Sequence, residues 1–354
     1  MQKVSLFILL ILVTFGCRTP EVTQEAAAKK ELEVAGIGFY NLENLFDTIY
    51  DSTLRLNEEF TPGSDKHWTS ERYHEKLSHM ADAIGRIGRA HVPGGLALLG
   101  VSEIENRGVL DDLVKEPAIA YRNYQIIHYD SPDRRGVDVA LLYRPDLFKP
   151  VHSASHTLRL PDDTAFRTRD QLVVSGLLQG EMIHVIVNHW PSRRGGEKRS
   201  RPKRNAAGAL CRHIVDSLLQ IDPNAKILVM GDLNDDPINP SVKTFLRAKG
   251  KISDLEPGDL YNPMWELYRE GVGSLAYRDM WNLFDQIIIS QPLLNAPPET
   301  FRFYKAFVFN KSFLKQKEGA FAGYPNRTFV GNRYLGGYSD HFPVYVLLVR
   351  EAKD

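Results

Sequence analysis

Apolar residues recur along this chain in two periods, and the switching between them outlines the fold. Between Thr69 and Ile87 they fall at Leu77, Met80, Ala81, Ile84 and Ile87, the spacing of an amphipathic helix. Pro202 to Leu219 reads as a second, longer helix, stopped by Asp222-Pro223-Asn224. Val109 to Leu113 opens another. Elsewhere short apolar runs bounded by turn residues predict strands. These are Val34–Tyr40, Leu96–Val101, Tyr124–Tyr129, Val137–Tyr143, Gln171–Leu177, Met182–His189, Ile227–Met230, Phe284–Ile289 and Val344–Val349. The turn Ser131-Pro132-Asp133-Arg134-Arg135-Gly136 joins two of them. Many strands therefore follow one another as hairpins, with few helices between. That pattern favours a layered α/β sandwich over a purely parallel sheet.

The N-terminus follows a different rule. Lys3 precedes an apolar stretch, Leu6 to Phe15, which is too short to span a bilayer, and Gly16-Cys17 follows. The segment resembles a bacterial lipoprotein signal cleaved before Cys17, although Thr14 stands where that pattern prefers an aliphatic residue. The expected division is a signal over residues 1–17, a polar tether over 18–33 and a single domain over 34–354. It implies an exported protein, held at the cell envelope by lipid on Cys17 or secreted.

Composition adds limits. The 354 residues are 43% hydrophobic and 25% charged, enough for one large core. No linker or internal repeat divides it. The formal net charge is +0, so attraction for a polyanion must come from a local patch. With Cys17 lipidated, the other cysteine, Cys211, has no intramolecular partner and is expected as a buried helical thiol. No Cys/His cluster has zinc spacing, and no P-loop lysine motif appears.

The chemistry gathers at strand ends. Asn41 closes the first strand, and Glu103 follows a buried one, with Glu105 further out. Asn188-His189-Trp190-Pro191 ends another. Gly231-Asp232-Leu233-Asn234 follows Ile227–Met230. Asp285 begins a strand, and Ser339-Asp340-His341 precedes the last one. Carboxylate, amide and imidazole groups so placed suit metal-assisted attack of water on phosphate, which needs hard oxygen ligands, a base and a donor for developing charge. From Arg193 to Arg204, seven of twelve residues are basic: Arg193, Arg194, Lys198, Arg199, Arg201, Lys203 and Arg204. Such a run is ordinarily a solvated face. Beside His189 it gains weight as a phosphate-binding loop.

Each element alone is ordinary, but the ordered set resembles the endonuclease/exonuclease/phosphatase superfamily over residues 34 to 350. Within it, Tyr40-Asn41-Leu42-Glu43-Asn44-Leu45-Phe46-Asp47 looks like the opening of secreted bacterial nucleases. The resemblance implies a four-layer DNase I-like α/β sandwich, two packed mixed β-sheets flanked by helices. It implies Mg²⁺ or Mn²⁺ held by Asn41, Glu103 and Asp340. Asp232 would orient or deprotonate the water, and Asn234 would donate to the phosphate. His341, oriented by Asp285, and His189 would face the phosphate. Arg169, with Arg193 and Arg194, would bind phosphate, and Asp138 would orient His189. Neither Asp232 nor His341 is expected to be packed in the core. The expected activity is a phosphodiester hydrolase, an exported nuclease acting on DNA or RNA. The alternative is a phosphoesterase on a lipid or small-molecule phosphate. Trp190, Tyr334 and Tyr338 are candidates for stacking bases, and Met264–Tyr268 and Phe301–Phe313 for touching membrane. A monomer with no evident protein partner is expected, bound to membrane through a lipid anchor at Cys17.

Overall fold

A computed structural model describes residues 31–53 and 57–352. The signal segment and Cys17 lie outside these residues. The first half supplies β1 (Leu32–Leu45), β2 (Leu98–Ile104), β3 (Gln125–His128), β4 (Asp138–Tyr143), β5 (Phe148–His156), β6 (Gln171–Leu178) and β7 (Glu181–His189). The second half supplies β8 (Ile227–Asp232), β9 (Ala248–Lys249), β10 (Leu260–Tyr261), β11 (Leu275–Tyr277), β12 (Met280–Asn282), β13 (Asp285–Ser290), β14 (Arg302–Val308), β15 (Phe329–Val330), β16 (Arg333–Tyr334) and β17 (Val344–Glu351). The α-helices are α1 (Ser70–Arg86), α2 (Arg107–Leu113), α3 (Glu197–Ile221) and α4 (Met264–Arg269).

The strands form two mixed sheets, ordered β14-β17-β1-β2-β4-β3 and β5-β6-β7-β8-β13-β10-β9, with β11-β12 and β15-β16 as separate ribbons. Alternation within each strand decides the layers. On β17, Val344, Val346 and Leu348 pack with Phe39, Leu141, Val187 and Met230 in a core between the sheets. The intervening Tyr345 and Leu347 pack with Leu77, Met80 and Ile84 of α1. On the far side Ile186, Val229 and Ile288 pack with Ala207, Cys211 and Val215 of α3. The result is helix, sheet, sheet, helix: the four-layer sandwich expected. Cys211 is the buried helical thiol that the sequence suggests, its pKa lifted to about 12 by burial.

Most expected elements form with ends shifted by a few residues, and β5, β9, β10, β14–β16 and α4 are additional. Two shifts bear on the site. β1 starts at Leu32 and continues beyond Tyr40 to Leu45, carrying Asn41 and Glu43 inside it. Helix α3 starts at Glu197, so most of the basic run is helix rather than loop. The hairpin β11-β12 is also additional.

Candidate active site

One edge of the sandwich collects the polar strand ends. β7 and β8 run parallel, and their last paired residues are His189 and Asp232. β13 runs antiparallel to β8 and sets Asp285 opposite Asp232. In the other sheet β1 and β2 are parallel, with Asn41 beside Ser102, so Glu103 emerges at the same edge. Gly231 makes one close approach possible: at its φ of 156°, a Cβ would stand 2.2 Å from the Asn188 carbonyl oxygen. Glu43, Asn44, Glu103 and Asn234 all have positive φ, between 47° and 60°. Such conformations are costly for non-glycine residues, and they cluster where side chains must be aimed out of regular strands.

Asp232 is the hub. Its Oδ2 accepts the Asn41 amide at 3.1 Å and lies 3.5 Å from His189 Nε2 and 4.0 Å from His341 Nε2. Its Oδ1 accepts the Asn234 backbone N–H at 2.9 Å, while Asn234 Nδ2 donates to the Trp190 carbonyl at 3.0 Å. Burial lifts the Asp232 carboxyl to about 7, against the opposing pull of His341.

The two imidazoles are driven in opposite directions. His341 Nδ1 lies 2.6 Å from Asp285 Oδ2. Its backbone N–H donates to Ser339 Oγ at 3.1 Å, and Ser339 donates to the Asn41 carbonyl at 2.7 Å. Burial alone lowers the affinity of His341 for a proton, but Asp285, Asp232 and Asp340 outweigh it and raise its pKa well above the ordinary value. His189 is buried beside Arg169 and Arg135, and burial first, then those charges, hold it well below the ordinary value. The surroundings thus favour the protonated form of His341 and the neutral form of His189. Divergent acid–base pairs of this kind are what proton transfer requires.

The donor set for a hard cation lies alongside. Glu103 Oε1 is 3.7 Å from His189 Nε2, and its Oε2 accepts the Asn44 backbone N–H at 3.0 Å. Asp340 is paired with Arg327, and its Oδ1 lies 3.9 Å from His341 Nε2. Burial opposes ionisation of Asp340, but His341 and Arg327 hold its carboxyl below the usual range. Carboxylates with an amide match the hard-oxygen preference of Mg²⁺ or Mn²⁺, so these residues fit such an ion. Beneath them Glu43 Oε2 accepts the Thr328 backbone N–H at 2.7 Å, and the fully buried Lys76 of α1 donates to Thr328 Oγ1 at 2.7 Å. These bonds tie the segment leading to Ser339-Asp340-His341 to β1 and α1. Sequence reading did not single out Lys76, Arg135 or Arg327. Lys76 is a charged residue within an amphipathic pattern, which gives no signal that it is buried, and Arg135 and Arg327 lie in loops whose course the local sequence does not fix.

The expected phosphate-binding arginines are differently employed. Arg169 is buried: its Nε and one terminal nitrogen donate to the His189 and Trp190 carbonyls at 3.1 and 2.5 Å, and the other terminal nitrogen to Asp133 at 3.2 Å. It clamps the chain behind His189. Arg193 donates to the Asn234 carbonyl at 3.0 Å and to Asp235 at 3.1 Å, and stacks on Phe284 at 4.5 Å. It pins the loop after β8. Arg201 pairs with Glu197 at 3.1 Å and Arg204 with Asp235 at 2.8 Å. Arg194, Lys198 and Arg199 are exposed and have no carboxylate partner among the described residues. Two other arginines reach the centre: Arg327, paired with Asp340, and Arg135, whose guanidinium donates to Asn44 Oδ1 at 2.9 Å and to Glu103 Oε1 at 3.4 Å.

Other expectations change too. Asp138 does not orient His189. It accepts the Ser131 backbone N–H at 2.9 Å and lies 3.0 Å from His128 Nε2. His128, Asp130 and Asp138 form the one group of three His, Cys, Asp or Glu ligand atoms within 4.8 Å among the described residues. The hydrogen bonds on Asp138 make it a strand-end cap beside the centre. Trp190 is buried, and its indole N–H donates to Asn188 Oδ1 at 3.0 Å, so it stacks on no ligand. Met264, Phe301 and Phe309 are buried, whereas Trp265 and Tyr268 are half-buried and Tyr304 is exposed, so each expected membrane-facing segment is only partly accessible. No helix among the described residues is long and apolar enough to cross a membrane.

Comparison with known proteins agrees with this geometry. The chain belongs to the endonuclease/exonuclease/phosphatase family, whose profile matches residues 36–350. The family hydrolyses phosphate esters with a divalent metal, and this chain shares that general chemistry. A family protein from Bacteroides thetaiotaomicron superposes with a TM-score of 0.55 at 16% identity, over 91% of this chain and 100% of that one. The mannosyl-6-phosphatase of Bacteroides thetaiotaomicron VPI-5482 gives 0.54 at 16%, over 89% and 99%. D. rerio TDP2, solved with single strand DNA product, gives 0.53 at 14%, over 89% and 98%. These likenesses show the fold. No curated protein matches the sequence.

Proposed function

We propose that the protein is an exported, metal-dependent nuclease that hydrolyses phosphodiester bonds of DNA or RNA. The observation that carries the hydrolytic reading is Asp232, held within 4.0 Å of two imidazoles of opposite proton affinity. Glu103, Asn41 and Asp340 would hold Mg²⁺ or Mn²⁺, which supplies charge neutralisation at the phosphate and an acidified water. Asp232 orients the attacking water and takes its proton. His341, kept protonated by Asp285, donates to a non-bridging oxygen. His189, kept neutral, accepts a hydrogen bond in the same space. Asn234 fixes one oxygen of Asp232. Arg135 takes the role of phosphate-binding arginine, because Arg169 and Arg193 are engaged elsewhere. A phosphodiester offers little covalent help, so positioned donors and cations carry the catalysis.

Nucleic acid is preferred as substrate because Arg194, Lys198 and Arg199 present free charge beside the segment that leads from His189. The lipoprotein-like signal puts the enzyme outside the cytoplasm, tethered through Cys17. A second reading, a phosphoesterase on a small or lipid phosphate, has one feature in its favour. A cavity of about 280 Å³ opens beside Asp340, lined by Glu43, Phe60, Lys66, Arg327 and Phe329, a size suited to a sugar phosphate. Purified protein with Mg²⁺ or Mn²⁺, assayed on plasmid DNA, RNA, a sugar phosphate and sphingomyelin, separates the readings. Turnover of the sugar phosphate or sphingomyelin with none of the polymers would overturn the nuclease.

A further inference from the structure

The hairpin β11-β12 is rooted on the catalytic pair. Ser274, just before it, accepts the Phe342 backbone N–H through its carbonyl at 2.6 Å and the Asp285 backbone N–H through its hydroxyl at 3.3 Å. One residue therefore ties the hairpin both to Asp285 and to the neighbour of His341. Opposed residues of an antiparallel pair share a face. Tyr277 and Met280 lie on one face, and Ala276 and Trp281 on the other. The Trp281 ring stacks on Phe342 at 6.0 Å and 17° and meets Tyr324 at 5.7 Å, yet Trp281 remains 38% exposed. Lys315 sits 5.8 Å over the Phe342 ring, and Phe321 beside Tyr324 is 51% exposed.

The indole presents accessible ring surface and has a ring behind it. Its packing fixes its orientation in advance, so stacking on it costs little entropy. The tip is not built to enter a bilayer. Its turn is Arg278-Asp279, and Asp279 accepts the Tyr324 hydroxyl at 2.6 Å. The Arg278 guanidinium lies over Tyr277, on the other face, but Lys315 stands on the Phe342 ring that backs Trp281. Rings for bases with a cation for phosphate are the make-up of a single-strand binding surface.

We propose that Trp281 is a stacking platform for the nucleobase next to the scissile phosphate, on the His341 side of the centre. This deepens the nuclease reading and rests on it. The platform gives the enzyme a preference for unpaired, base-bearing strands.

The test compares a single-stranded oligonucleotide with the same strand carrying abasic residues beside the cleaved bond, by kcat/KM and by quenching of tryptophan fluorescence on binding. Trp281→Ala lowers kcat/KM on the base-bearing strand about tenfold or more beyond its effect on the abasic strand, within the range of base–aromatic stacking, mainly through KM. Trp281→Phe keeps most of the preference, and Tyr277→Ala, on the opposite face, keeps all of it. Equal losses on both strands, or an equal shift in Tyr277→Ala, would overturn the platform. So would Trp281-dependent binding to phosphatidylcholine vesicles with no base preference. A strand that is bound and quenched through Trp281 but not cut leaves the platform standing and removes the nuclease activity. A strand cut with unchanged preference by Trp281→Ala does the reverse.

Discussion

Asp285 Oδ2 stands 2.6 Å from Nδ1 of His341, in a position where Asp285 is wholly buried and its other oxygen has no partner among the described residues. The carboxylate is thus devoted to the imidazole. It raises the affinity of His341 for a proton against the cost of burial. Asp285→Asn removes that charge and leaves the burial. Activity that needs protonated His341 is lost as pH rises through the folded-state pKa, so the alkaline limb of kcat moves to lower pH in the variant. A loss on the order of 10²-fold in kcat is expected at neutral pH. The pair also stabilises the fold. A raised imidazole pKa gives stability that is fully present below about 6.5 and lost as pH rises through the folded value. The gap in Tm between wild type and Asp285→Asn should therefore be widest in mild acid and close in base. A pH-independent gap would refute the pairing.

His341→Ala and Asp232→Asn test the centre itself. Each should lose on the order of 10² to 10⁴ in kcat. The sequence suggested that neither was packed in the core, but both are buried, and their effects on stability should differ. His341→Ala strands Asp285 as an uncompensated buried carboxylate, a cost of about 3 to 5 kcal/mol. Asp232→Asn keeps the shape and relieves repulsion from Asp285, so its Tm should hold or rise. Thermal melts of both variants beside their rates decide this. A His341→Ala protein as stable as wild type would sink the buried-pair argument.

Much of this centre was legible in the sequence because strand ends announce themselves. An apolar run that stops at Gly231-Asp232 or starts after Ser339-Asp340-His341 fixes where a side chain leaves the sheet, and the resemblance supplied the order. Asn41, Glu103, His189, Asp232, Asn234, Asp285, Asp340 and His341 do meet at one edge. The arginines were not legible. Arg193 in Ser-Arg-Arg-Gly and Arg135 in Asp-Arg-Arg-Gly have similar local sequence, and only tertiary placement decides which one pins a loop and which one reaches the centre. The hairpin carrying Trp281 was hidden for a local reason. Its turn uses Arg278 and Asp279 at φ 50° and 61°, not the Asn-Gly or Asp-Gly that marks such a turn.

Metal dependence has two readouts. EDTA should abolish hydrolysis, and Mg²⁺ or Mn²⁺ should restore it. Binding to the folded state should also raise Tm with metal concentration. In Glu103→Gln that rise should shrink, because a carboxylate ligand becomes a neutral amide. Full activity in EDTA, or an undiminished thermal shift in Glu103→Gln, would contradict the assignment.

Arg135 and Arg169 should separate cleanly. Arg135→Ala should raise KM about tenfold, the scale of one lost charge-assisted hydrogen bond to phosphate, with little change in Tm. Arg169→Ala opens a buried clamp that holds two carbonyls and Asp133, so it should lower Tm by several degrees. If Arg169→Ala melts like wild type and only KM rises, the roles are reversed.

The basic run is the remaining discriminator between nucleic acid and small phosphate. Its charges are unequal. Arg193 and Arg204 are committed to Asp235, and Arg201 to Glu197, whereas Arg194, Lys198 and Arg199 stay free. Only free cations release counterions from a polyanion, and each phosphate neutralised contributes about 0.7 to 0.9 to the log–log salt slope. The triple variant Arg194→Ala, Lys198→Ala, Arg199→Ala should therefore flatten the slope by about two units and weaken binding to any DNA sequence. Its cleavage of a small chromogenic phosphodiester should persist, because these side chains give positioning and not transition-state charge. Arg193→Ala should behave oppositely. Its effect should appear first in Tm, through loss of the bonds to Asn234 and Asp235, and on every substrate alike. If the triple variant binds DNA with an unchanged salt slope, the run is a solvated helix face. The cavity beside Asp340 would then become the better guide to the substrate.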